Sequence, residues 1–296
     1  MATSRAIEEI EPEVGSETSD GGWVRFLENR AAVTSVALFA ILGTAALFAP
    51  WLGLFDPVEQ HYGDEFLPPD SRYWFGTDDF GRDIFARCVW GMRLSLSIGL
   101  LAAVAAGLIG TAFGMLQGYF RGWIDEVLGR VWDTLLAFPG LLLGLAVAIF
   151  LGEGSQNAAV AAAVANIPII GRLARATVLG EQEKGYVMAA RSAGARPRRI
   201  LALHLFPNVF PIVTVQVTLT VAHAMILEAG LSFLGIGAQP PFPSLGGMLR
   251  DARVYMNEAL WYAIFPGLTL TVLLLLITFI SDGLADAFDP RRSNRG

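Results

Sequence analysis

Long apolar runs dominate this chain, each bounded by charged clusters or by proline and glycine. Uncharged stretches cover Ala31 to Phe55, Leu94 to Phe120, Thr134 to Gly152, Ile200 to Leu227 and Ala259 to Ser281. A helix crossing a bilayer core needs about 20 apolar residues, so each run predicts a span. A sixth run, Gly154 to Gly171, is shorter and carries Gln156, Asn157, Asn166 and Pro168, so it must be shielded by neighbouring helices. The pattern predicts an all-α, polytopic membrane protein with six transmembrane helices.

Composition agrees with the pattern. Hydrophobic residues make up 54% of the chain and charged residues 16%, well away from the balance of soluble domains. The first twenty residues set Glu8, Glu9, Glu11, Glu13, Glu17 and Asp20 against Arg5 alone, so residues 1–30 read as a mostly disordered cytoplasmic tail. A secretory signal has a basic start and a short apolar stretch; this acidic tail and its long following run read instead as a retained first span. Residues 31–93 then hold the first span and an extracytoplasmic segment, 94–288 the membrane core, and 289–296 a cytoplasmic tail. Cys88 is the single cysteine, which excludes an intramolecular disulfide and a cysteine metal cluster.

The arginines orient the chain. With six spans and an inside N-terminus, the inside segments hold Arg5, Arg25, Arg30, Arg121, Arg130, Arg172, Arg175, Lys184, Arg191, Arg196, Arg198, Arg199, Arg291, Arg292 and Arg295, most of the 21 basic residues. The positive-inside rule therefore puts both termini in the cytoplasm.

"YVMAARSAGARPRRILALHLFP", Tyr186 to Pro207, carries four arginines and no acid. Each arginine at the centre of a span costs about 2.5–3.5 kcal/mol, so this stretch is a cytoplasmic loop. Its grammar is helix, break, helix: Tyr186 to Ala193 favours helix, Gly194 suits a left-handed stop, Pro197 suits the first turn of a second helix, and Pro207 marks the join to the next span. From composition alone, a plain basic connector near lipid headgroups and a docking element weigh equally.

The order Ala189-Ala190, Gly194, Ala195, then Pro207 resembles the EAA loop of bacterial ABC-importer permeases, the loop that docks on the ATPase subunit. "FGTDDFGRDIFARCVWGMRLSLSIG" (Phe75 to Gly99), "ILEAGLSFLGIGAQPPFPSLGGML" (Ile226 to Leu249) and "SDGLADAFDPRR" (Ser281 to Arg292) resemble the dipeptide and oligopeptide permeases, specifically their second, C-type subunit. The likeness runs from about Trp23 to Arg292. Met188, His204 and Phe206 depart from the loop's usual glutamate, isoleucine and leucine. The resemblance implies a type I ABC-importer permease (MetI-like) architecture with a coupling loop over 181–207. The implied partners are a homologous second permease subunit, two cytoplasmic ATP-binding subunits, an extracytoplasmic solute-binding protein, a peptide substrate and membrane lipid, with no nucleic acid. Nickel, glutathione or another small solute is the alternative cargo. An ion-coupled secondary transporter would want an inverted repeat and paired midplane carboxylates, and neither is seen.

The small side chains of Ala189, Ala190, Ser192 and Ala193 allow a partner surface to come close, and Arg191, Arg196, Arg198 and Arg199 are placed to pair with its acids. The single lysine, Lys184, lies in no GxxxxGK[ST] phosphate loop, so nucleotide hydrolysis has to be supplied in trans. No catalytic constellation, cofactor motif or metal site is expected: His61, His204 and His223 lack ligand spacing.

Charged groups inside a bilayer are functional candidates by default. Asp133 follows Arg130 by one turn and is expected to pair with it. Glu228 has no oppositely charged sequence neighbour, leaving pathway or gate lining and an interhelix hydrogen bond as equal alternatives. Asn166, Gln216 and His223 complete a sparse polar set; helix packing is the favoured reading of His223 and pathway lining the lesser one. Between Asp56 and Arg93, "GTDDFGRDIF" reads as a turn and helix start in which Thr77 or Asp78 caps and Asp79 and Asp83 suit the first turn. Gly76, Thr77, Asp78, Gly81, Arg82 and Asp83 form a candidate outer docking segment, with surface structure as the plain alternative. The semi-rigid stretch Gly235 to Trp261, with Pro240, Pro241 and Pro243, could extend that outer surface.

Overall fold

A computed structural model describes residues 20–288; the acidic stretch before them and the predicted tail 289–296, with Arg5, Arg291, Arg292 and Arg295, lie outside the described residues. Among the described residues the architecture is helical, with one isolated bridge between Thr77 and Asp83. The helices are α1 (Asp20–Glu28), α2 (Arg30–Leu47), α3 (Ile84–Phe120), α4 (Gly122–Leu136), α5 (Gly140–Leu151), α6 (Ser155–Glu181), α7 (Gly185–Ser192), α8 (Pro197–Ile200), α9 (Phe206–Phe233), α10 (Leu245–Ala252) and α11 (Leu260–Phe288). Five spans are long and apolar enough to cross a membrane, α8 and α9 forming one of them, and α4 with α5 makes up to a sixth.

Local chemistry sets the boundaries. The Asn29 side chain accepts from the Ala32 amide to start α2, and the Asp83 carboxyl accepts from Phe85 and Ala86 to start α3. Where α3 meets α4, Arg121 and Gly122 take φ of 51° and 60°, which no helix continues. Pro139 cannot donate and pushes Phe138 out of helical geometry, and here α4 and α5 part by 96°.

Five expectations need correction. The third span is bent rather than one straight helix over Thr134 to Gly152. The first stops at Leu47, where Pro50 enters a short 3-10 turn, instead of reaching Phe55. The second starts at Ile84, not Leu94, because Asp78 brings a counter-charge to buried Arg87 from outside the helix. The fourth runs past Gly171 to Glu181, its arginines paired with acids of α4. Within the expected disordered tail, residues 20–28 form α1, whose Phe26 packs with Ala32 and Ala287.

Helix α3 packs along α6 and then α9. Gly110 lies against Ile167 and Gly118 against Arg175, so α3 and α6 run parallel; Gly99 lies against Met225 and Gly107 against Val217, so α9 runs opposite. One end of the bundle gathers the 56–83 segment, α10 and the start of α11, joined where Trp261 donates to the Thr77 carbonyl at 3.4 Å. The other gathers α7, α8 and the starts of α4 and α9, joined where Gln182 donates to the Gly118 carbonyl at 2.8 Å. These are called the Thr77 end and the Gly194 end.

Candidate functional site

At the Gly194 end, α7 stops in a Schellman motif. Ala195 N donates to Ala190 O at 3.1 Å and Gly194 N to Arg191 O at 3.0 Å, while Gly194 takes φ +78°. Arg196 is extended, as the residue before a proline must be, and Pro197 opens α8. A π turn, Leu201–Leu205, leads without interruption into α9, whose first turn holds Pro207. The wider turn absorbs the amide that Pro207 lacks.

Only Val187 of α7 is buried, packing with Val178, Ile200 and Val209. Ala189, Arg191, Ser192, Ala193, Gly194, Arg196, Arg198 and Arg199 are exposed, Ala190 and Ala195 half-buried. None of these four arginines has a carboxylate partner among the described residues; Arg191 lies over the Tyr119 ring, 5.6 Å from its centre. A cationic, small-residue surface is thus held on a rigid frame. Tyr186 braces that frame: its hydroxyl donates to Glu181 at 2.6 Å and accepts from Asn208 at 3.2 Å, linking the end of α6 to the start of α9. Partial burial and the Glu181 carboxylate push that hydroxyl up to about 12, so it keeps its proton.

At the Thr77 end, Gly76 and Gly81 take φ of 75° and 68°, and a Cβ at either would strike the backbone carbonyl of Leu67 or His61. Asp78 is fully buried and holds the turn instead of capping α3. Its Oδ1 accepts from Phe80 N at 2.9 Å and Arg82 N at 3.0 Å, and its Oδ2 from Arg82 Nε at 2.7 Å. Thr77 likewise accepts from Leu67 N at 2.8 Å, so the cap falls to Asp83 alone. Tyr262 donates to Asp79 at 3.2 Å, tying the turn to α11. Burial raises both Asp79 and Asp83 above the usual carboxylate range, and for Asp83 the amides of Ala86 and Phe85 oppose the shift.

Within the spans, Glu228 is wholly enclosed by its own chain: Ser95 and Ser232 each donate to it at 2.8 Å. Asn166 is buried and donates to Ala162 O at 2.8 Å. Gln216 is half-buried and His223 exposed. Asp133 pairs with Arg172 of α6, and Arg130 with Glu126 at 2.6 Å, so the expected local pair of Arg130 and Asp133 does not form. Sequence reasoning also passed over Tyr186 as a brace, Gln182, Arg87 and Tyr262; only the recurrence of glycine at 110, 114 and 118 was a visible signal of the α3–α6 contact.

Residues 90–294 match the family model of the binding-protein-dependent transport system inner membrane component, and residues 20–69 that of the N-terminal TM domain of oligopeptide transport permease C. The chain is 40% identical over 264 residues to the dipeptide transport system permease protein DppC of Alkalihalophilus pseudofirmus, covering 89% of this chain and 87% of that protein. It is 39% identical over 279 residues to the di/tripeptide transport system permease protein DppC of Pseudomonas aeruginosa, covering 92% of each. It is also 39% identical over 271 residues to the glutathione transport system permease protein GsiD of Pectobacterium atrosepticum, covering 91% of this chain and 90% of that protein. The fold matches a chain of the MetNI methionine ABC transporter, with TM-score 0.60 at 20% identity, covering 70% of this chain and 98% of that one. The chain therefore belongs to the binding-protein-dependent transport system inner membrane components, as a C-type permease of the dipeptide and oligopeptide group.

Proposed function

We propose that this subunit forms half of a peptide pathway through a cytoplasmic membrane, paired with a homologous permease, driven by two ATPase subunits and supplied by an extracytoplasmic binding protein. The named relatives carry dipeptides, di/tripeptides and glutathione, all of them peptides, which supports peptide cargo. The Gly194 end then faces the cytoplasm, with both termini, and the Thr77 end faces outward. Ala189, Ala190, Arg191, Gly194, Ala195, Arg198 and Pro207 belong to the ATPase-coupling loop; Gly76, Thr77, Asp78, Gly81, Arg82 and Asp83 shape the outer docking segment.

The observation that carries this reading is the exposed, arginine-bearing surface of α7 on a fixed frame. Space around Gly194 is open within the chain, so substitution there meets little but its positive φ, which Asp and Asn tolerate best. Gly194→Asp and Gly194→Asn should therefore insert and pair normally yet lose ATPase retention and uptake, because bulk blocks a close partner. Normal retention and uptake by both variants would remove the coupling role.

His223 and Gln216 supply the pathway face. Seven residues apart on α9, they share a stripe with Ile212, Leu219 and Ile226, level with the uncharged part of α3. A polar ring at that depth is expensive against lipid, which favours a water-filled passage or the second permease. A cysteine at position 223, with Cys88 replaced, should react with a hydrophilic thiol reagent in the assembled importer. Absence of reaction would turn this face away from the passage.

A further inference from the structure

Between the Gly76–Asp83 turn and the Ser244–Tyr255 stretch lies a cavity of ≈ 480 Å³. Arg82, Arg87, Arg250 and Arg253 line it with only Asp79 and Asp251, while Asp78 stands behind. Two guanidiniums are committed, Arg82 to Asp78 at 2.7 Å and Arg250 to Asp251 at 3.0 Å. The other two are not fully used. Arg87 is 4% exposed; its Nη1 donates to the Pro57 carbonyl at 2.7 Å, while its Nε, 3.4 Å from Asp78, makes no hydrogen bond. Arg253 has no carboxylate partner among the described residues and lies over the Phe233 ring, 5.9 Å from its centre. Phe80, Phe242 and Val254 at the mouth are 45%, 70% and 71% exposed, an apolar rim around a cationic centre.

We propose that this cavity receives a carboxylate side chain from a loop of a water-soluble partner protein, whose flanking apolar residues cover Phe80, Phe242 and Val254. The inference rests on the reading of the Thr77 end as the docking surface for the binding protein. Charge complementarity argues for an acid, and the apolar rim supplies the desolvation that makes such a pair count. Asp79 and Asp251 add acceptors for backbone N–H groups, which a protein loop offers and a phosphodiester headgroup does not.

The test is ATPase activity of the complete importer in lipid nanodiscs, titrated with its binding protein. Arg253→Glu should raise the half-stimulating concentration of binding protein by roughly tenfold, through repulsion of the incoming acid, and Arg253→Gln by less; both should keep the plateau. The effect should persist in discs made only of zwitterionic lipid. An unchanged half-stimulating concentration in both variants overturns the proposal, as does a lowered plateau without a shift. An effect confined to discs containing anionic lipid reassigns the cavity to headgroups, and a changed peptide requirement at saturating binding protein reassigns it to cargo; either defeats the proposal. Cross-linking the binding protein through Phe80→Cys, with Cys88 replaced, separates the two readings. A cross-link with no shift leaves the docking surface standing and removes the carboxylate pocket, whereas no cross-link and no shift remove both.

Discussion

The Ser95 hydroxyl on α3 donates to the Glu228 carboxyl on α9 at 2.8 Å, across 133 residues of chain. Ser232 takes the other oxygen at 2.8 Å, so a buried acid is satisfied by two helices with no cation partner among the described residues. Glu228→Gln keeps the shape and leaves hydroxyls that can rotate to suit an amide, so thermal stability in detergent should fall little. Glu228→Leu strands both hydroxyls at about 1–3 kcal/mol each, toward the low end because a helical serine can turn to its i−4 carbonyl. Equal melting of the two variants would show that these hydrogen bonds contribute nothing to the α3–α9 contact.

Helices α3 and α6 touch through backbone. A Cβ at Gly114 would strike Gly171 O, and one at Gly110 would lie 2.8 Å from Ile167 O and one at Gly118 2.9 Å from Arg175 O. Small residues at fourfold spacing are how helices approach closely in lipid. Gly114→Val should therefore abolish accumulation in the membrane, and Gly114→Ala should lower it. Gly43, with nothing within 4 Å, is the control: Gly43→Ala should be neutral or stabilising by up to about 1 kcal/mol. Membrane abundance by immunoblot checks all three.

Asp83 combines a cap with a burial penalty. Because burial raises its native value, its proton favours the native state: that contribution is complete below the unfolded carboxylate range and is lost as pH rises through the shifted value. Asn retains the cap without titrating. The stability of Asp83→Asn relative to the native protein should thus improve as pH rises upward from the ordinary carboxylate range. Asp83→Ala, which titrates no more than Asn does, should follow the same pH trend, lying below Asp83→Asn by about 1 kcal/mol for the lost cap. Melting curves of the purified importer in two buffers test the sign.

What could be read before the structure was local or long-range by composition. Spans follow from apolar runs, and the Gly194 stop with its Pro197 restart follows from backbone rules that need no tertiary context. What escaped depends on pairing between distant segments. Arg87 starts no visible helix until Asp78 is brought beside it, and Asp133 finds Arg172 only once α4 crosses α6. Ser95 and Ser232 are ordinary in sequence and gain meaning only around Glu228. The 96° break at Pro139 leaves hydropathy unchanged, so a hydropathy reading passes straight through it. Exposure of His223 and burial of Asn166 are likewise matters of helix rotation, which sequence spacing leaves open.

Force applied to α7 reaches α6 and α9 only as far as the loop moves with them, and Tyr186 touches both through Glu181 and Asn208. Gln182, donating to Gly118 O at 2.8 Å, and Arg121, 3.1 Å from Glu183, tie the same corner to the end of α3. Tyr186→Phe keeps the ring beside His204 and removes only the hydroxyl. At this partly exposed site the loss should be on the order of 1 kcal/mol, enough to shift a two-state coupling by about fivefold. Peptide taken up per ATP hydrolysed should fall, while retention of the ATPase subunits stays normal. Asn208→Ala should act in the same direction and more weakly, since the stronger bond to Glu181 remains. If Tyr186→Phe instead lost the ATPase subunits at an unchanged transport ratio, Tyr186 would be a residue of the docking surface and the brace would transmit nothing.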